Sequence, residues 1–95
     1  PKVVNPLIDQ SWSEGVFHSY TIPANSFGDI DVGDVFSYVA VKSDETALPS
    51  WMSFNPTTRV LSGTPPLLSG DISVRIRVKD THWLQAQDDV LIKTP

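Results

Sequence analysis

Residues 71–79 read DISVRIRVK. Ile72, Val74, Ile76 and Val78 fall on one side of an extended chain, and Ser73, Arg75, Arg77 and Lys79 on the other. Successive side chains of a strand point to opposite faces, so this alternation predicts a half-buried β-strand with one wet face. The same period runs through VFHSYTI (16–22), where Val16, His18, Tyr20 and Ile22 alternate with Phe17, Ser19 and Thr21. DVFSYVAV (34–41) is apolar on both faces and suits a central strand. DDVLIK (88–93) predicts a final strand, with short strands at WMSF (51–54) and RVLSG (59–63). Pro23, Gly28, Gly33, Pro49, Asn55-Pro56, the Gly63-Thr64-Pro65-Pro66 run and Gly70 punctuate these stretches and break any helix longer than a turn or so. Residues 9–14 and 42–50 read as loops. No segment keeps a 3.6-residue period and none repeats, so the fold expected is an all-β sandwich.

The chain has 95 residues, 40% of them hydrophobic, with three Trp, four Phe and two Tyr. That suffices for one compact domain, spanning residues 1–95. A net charge of −4 with scattered basic residues disfavours a nucleic-acid partner. Cysteine is absent, which excludes disulfides, thiol catalysis and zinc fingers. No apolar run approaches the roughly 20 residues that span a bilayer. With no initiator Met and no signal-like start, the chain reads as a module excised from a larger multidomain protein.

Residues 48–66, LPSWMSFNPTTRVLSGTPP, carry the most specific pattern. Trp51 and Phe54, flanked by Leu48, Pro49 and Met52, predict a plug on one side of the sandwich that removes roughly 300–500 Å² from water. Asn55-Pro56-Thr57-Thr58 has turn chemistry, Arg59 is placed to bond loop carbonyls, and Gly63 marks a positive-φ or close-approach position. The stretch resembles the signature of cadherin-like domains of the dystroglycan type (CADG or He_PIG-like), approximately L-P-x-W-L-x-F-[DN]-P-x-T-R-x-[FL]-S-G-T-P. DQSWSEGVFHSYTIPANSFGDIDVGD (9–34) looks like the opening of these domains with their acidic loop, and ISVRIRVKD (72–80) like their strand ending in aspartate. The resemblance implies a Greek-key sandwich of about seven strands. It also implies tandem modules in secreted or membrane-anchored surface proteins, acting in adhesion, often with calcium.

FGDIDVGD (27–34) sets three carboxylates within six positions. By resemblance, Asp29 and Asp31 match a D-x-D pair of calcium ligands at a module junction, and Asp80 matches a later aspartate. Asp34 is a lesser candidate, and Glu14 matches a glutamate that serves the opposite pole. Calcium needs six to eight oxygen ligands, so an isolated module holds at most part of such a site and binds weakly. The competing reading is a set of turn aspartates in water, with Asp34 capping its own turn. The acidic linker that usually joins such modules is missing at both ends, and Thr81-His82-Trp83 follows Asp80 where a small residue and glycine are common.

Catalysis finds little support. His18 is expected to pack in a strand, and His82 beside Asp80 lacks any nucleophile elbow or oxyanion motif. Trp12 and Trp83, both in polar stretches, are either lids on the sandwich core or sugar-stacking platforms. The first expectation is thus a non-catalytic extracellular adhesion or interaction module with Ca2+ at one pole. Its expected partners are neighbouring cadherin-like modules or other surface proteins. The alternatives are a carbohydrate-binding accessory module of a secreted polysaccharide-acting protein, and an inert spacer.

Overall fold

A computed structural model describes residues 1–28 and 35–94. Among these described residues nine strands follow in order: β1 (Lys2–Val3), β2 (Gln10–Ser11), β3 (His18–Thr21), β4 (Phe27–Gly28), β5 (Ser37–Lys42), β6 (Met52–Asn55), β7 (Val60–Gly63), β8 (Ile72–Lys79) and β9 (Gln85–Lys93). Seven of them form two sheets, ordered β2-β9-β8-β5 and β3-β7-β6, while β1 and β4 make a small separate ribbon. The β3–β7 and β5–β8 pairings join strands distant in sequence, and the chain crosses between the two sheets after β2, β3, β5 and β7. This is the β-sandwich expected from the strand pattern, with the Greek-key connections that the resemblance implied.

One core lies between the sheets. Val74, Ile76 and Val78 of β8, with Val90 and Ile92 of β9, meet Leu61, Met52 and Ile22 from the opposite side. The alternation in β8 therefore holds, with Val74, Ile76 and Val78 buried, Ile72 half-buried, and Arg75, Arg77 and Lys79 on the outer face. Trp51, Phe54 and Leu48 pack against this core half-buried, so the plug foreseen for the 48–66 stretch is real, with Met52 and Leu61 its buried members.

The 55–59 corner is built from side-chain bonds as well as turn geometry. The Asn55 Oδ1 accepts the N–H groups of Thr57 (2.9 Å) and Thr58 (3.2 Å). Arg59, at φ +63°, then donates from Nε to the Ile22 carbonyl (3.0 Å), and Ile22 N–H donates back to the Arg59 carbonyl (2.8 Å). At Gly63 the reason for glycine is close approach: a Cβ there would come within 2.3 Å of the Trp51 carbonyl oxygen.

Several expectations need correcting. The 34–41 stretch is not a central strand, because among the described residues β5 pairs with β8 alone and lies at the edge of its sheet. In the 16–22 stretch only His18–Thr21 is strand, and Val16 and Phe17 stand exposed before it. The loop expected over 9–14 contains β2, which pairs in parallel with β9 through Gln10↔Ile92 and Ser11↔Lys93. The final strand begins earlier, at Gln85, since β9 keeps register with β8 back to the Lys79↔Gln85 pair.

Candidate functional site

The hairpin between β8 and β9 is organised by one carboxylate. Asp80 directly follows β8 and is 9% exposed. Its Oδ1 accepts the N–H groups of His82 (2.8 Å) and Leu84 (3.0 Å), while its own N–H donates to the Leu84 carbonyl (3.0 Å). The short acidic side chain thus satisfies backbone donors inside a tight turn, as aspartate does well. The turn drives Trp83 to φ +67°, a conformation rare for a bulky residue, and leaves its indole 76% exposed. Lys79 holds its ammonium 4.6 Å from the indole centroid, within cation–π range.

Beside this turn runs a groove of about 330 Å³. Val35, Ser37 and Val39 form one wall, and Lys79, Asp80, Thr81 and Trp83 the other. The register explains the meeting: Ser37 pairs with Lys79 across β5 and β8, so the entry to β5 and the exit from β8 lie side by side. An exposed aromatic and two exposed valines beside a few polar groups make a surface suited to binding. The sequence singled out Trp83 and Asp80, but Lys79 and the valines join them only through strand register.

The other candidates are placed apart. Trp12 is 2% exposed and stacks on His18 (centroids 5.8 Å apart, planes within 10°). Its backbone N–H donates to the Lys93 carbonyl (2.7 Å), and the His18 Nε2 accepts the Ser13 N–H (2.9 Å). Trp12 is therefore a lid on the core and offers no face to a sugar ring, which corrects its candidacy as a platform. Glu14 accepts the Leu68 N–H with Oε2, bracing the 64–71 loop ahead of β8. It sits beyond the start of β8 and Asp80 beyond its end, so the two lie at opposite poles.

Asp29, Asp31 and Asp34 lie outside the described residues. Among the described residues no group of three or more His, Cys, Asp or Glu side chains is placed to hold a metal ion. Of the two expected calcium ligands among the described residues, Asp80 lies at the hairpin pole and Glu14, at the other pole, is engaged with backbone. The described residues on their own do not make up a calcium site.

The fold agrees with what known proteins show. The family model He_PIG, described as "Putative Ig domain", matches residues 1–94. The chain belongs to this family. A solved structure of a nucleoside hydrolase-related hypothetical protein from Saccharophagus degradans, associated with carbohydrate metabolism, is similar to it at a TM-score of 0.65 and 21% identity. The alignment covers 95% of this chain and 22% of that one, so the He_PIG module spans only a small part of that protein. Curated proteins give no match.

Proposed function

We propose that this He_PIG domain is a non-catalytic binding module of an extracellular or cell-surface protein, and that it holds carbohydrate against Trp83. The observation that carries the reading is an indole kept 76% in water on a braced turn, beside a groove with both apolar and polar walls. A sugar ring has an apolar face of C–H groups that stacks on an indole, and its hydroxyls find partners in Ser37, Thr81 and Asp80 along the groove. Ig-like domains are generally non-catalytic and commonly extracellular. The association of the similar Saccharophagus degradans protein with carbohydrate metabolism accords with this reading, though the indole is what supports it.

The test is affinity electrophoresis of the isolated module through gels containing a panel of polysaccharides. Retardation of the wild type that Trp83→Ala abolishes is the expected outcome. Since the side chain is mostly in water, that variant should unfold within about 0.5 kcal/mol of wild type. Unretarded wild type across neutral and charged polymers removes the carbohydrate reading.

A second reading uses the same pole for calcium-dependent adhesion between cadherin-like modules of the dystroglycan type. The observation favouring it is that Val35, next in sequence after Asp34, lines the groove on which Asp80 sits. A carboxylate has about four lone-pair sites, so two amide bonds leave Asp80 able to take a cation. Asp29 and Asp31 would supply further oxygens, and a neighbouring module the remainder. Millimolar calcium should then raise the melting temperature of the domain when it is joined to flanking modules, and Asp29→Asn should abolish the rise. A melting curve of the joined modules that calcium leaves unmoved ends this reading.

A further inference from the structure

β5 has the composition of a central strand and the position of an edge strand, and its free edge matches itself. The direction of its backbone groups follows from three bonds. Lys42 pairs with Val74, and the next N–H, that of Ser43, donates to the Ser73 carbonyl (2.9 Å). Odd-numbered residues of this strand therefore point their N–H and C=O groups at β8, and even-numbered ones point away, since the two directions alternate along a strand. Lys42 confirms the phase, because its N–H donates to the Thr46 carbonyl (2.9 Å) and its carbonyl accepts the Glu45 N–H (2.8 Å), both on the outer side. The 43–46 turn thus closes the edge at Lys42. Within β5 the outward backbone groups of Tyr38 and Ala40 remain, and they bond to no other strand among the described residues.

We propose that two copies of this chain pair antiparallel through β5, about a twofold axis at Val39. In that register Tyr38 of each copy opposes Ala40 of the other, and their outward N–H and C=O groups form four reciprocal hydrogen bonds. Both outward residues are used, and the closed position at Lys42 is left out. Val39, 48% exposed, faces its symmetry mate in a non-hydrogen-bonded pair, the closer of the two pair types. Ser37 then faces Val41 on either side of it.

Charge permits this occupant. No two like charges fall opposite each other in the register, because Lys42 lies across from Phe36. Of the ionised groups nearest on the outer face, Glu45, Arg75, Arg77 and Asp89 are joined within their own chain, and Lys79, beside Ser37, lies over the Trp83 indole. A chain of net charge −4 therefore presents an edge without unpaired acidic side chains between Phe36 and Lys42. β5 also lacks the devices that keep edges apart: it has no proline and no glycine, and its one lysine stands at the end.

Sedimentation velocity over rising concentration, with amide exchange on the same samples, tests the pairing. Wild type is expected to shift from one chain to two, with the Tyr38 and Ala40 amides gaining protection as it does. Ala40→Pro deletes one outward donor and spares the β8 ladder, as proline is tolerated where its missing N–H would face solvent. Val39→Lys sets two ammonium groups face to face. Both variants should sediment as monomers with an unchanged fold. Wild type that stays monomeric at millimolar concentration overturns the proposal, as does a dimer that Val39→Lys leaves intact. A dimer in which the Tyr38 and Ala40 amides exchange as fast as in the monomer overturns it too. If Ala40→Pro does not fold, the other two results decide.

Discussion

Trp12 and Trp83 look alike in the sequence, each an indole in a polar stretch, yet one is 2% and the other 76% exposed. The difference comes from what pairs beside them. β2 runs parallel to β9, and the Trp12 backbone N–H extends that pairing to Lys93, which turns the indole inward onto His18 and the core. Trp83 stands in the five-residue turn between β8 and β9 that Asp80 closes, and its indole is left in water. Replacing Trp12 with alanine should accordingly cost about 3–5 kcal/mol through lost contacts and the cavity left behind. That is a large part of the roughly 5–15 kcal/mol that holds a domain of this kind folded. Urea unfolding measures it, and a midpoint close to wild type would show that Trp12 is not the lid described. The neighbouring residues made β2 hard to foresee: a two-residue strand has no period to read, and its partner lies some eighty positions away.

At the scale of the element, the outer face of the four-stranded sheet is held by charge. Arg75 reaches Glu45 (2.7 Å) and Asp89 (2.9 Å), and Arg77 reaches Glu45 (2.6 Å). Hydrogen bonds from Arg77 and then Arg75 hold the Glu45 carboxyl below its ordinary range, and a bond from Arg75 does the same for Asp89. A carboxyl depressed in the folded chain stabilises it fully above the unfolded value, near pH 4, and that contribution fades as pH falls through the lower folded value. Stability should therefore decline on acidification below about pH 4, and Arg75→Gln should make the decline shallower. At neutral pH the same variant should change little, because pairs this exposed contribute modestly and are screened by salt. Melting temperatures across that acid range check both points, and equal slopes for wild type and variant would contradict them. The network was illegible beforehand because Glu45 sits in a loop thirty positions from its partners. The wet face of β8 was legible, being written in the alternation of Ser73, Arg75, Arg77 and Lys79.

For the whole molecule, 45 × 22 × 19 Å in extent, function is a matter of poles and edges. One pole carries Trp83, Asp80 and the groove, the other Glu14 and the 64–71 loop, and β5 forms an edge between them. The calcium test uses flanking modules for this reason: among the described residues no three carboxylate or imidazole side chains gather at a pole, and calcium takes six to eight oxygens. Sequence alone determined the all-β class, the buried face of β8, a final strand over 88–93, the corner at 55–59 and the need for glycine at 63. These are local matters, fixed by period two, turn chemistry and the size of a side chain. Tertiary structure decided which tryptophan faces water, which strand ends the sheet and which residues gather around Trp83. Those depend on pairing between distant strands, and an apolar strand such as β5 has the same sequence whether it has one neighbour or two.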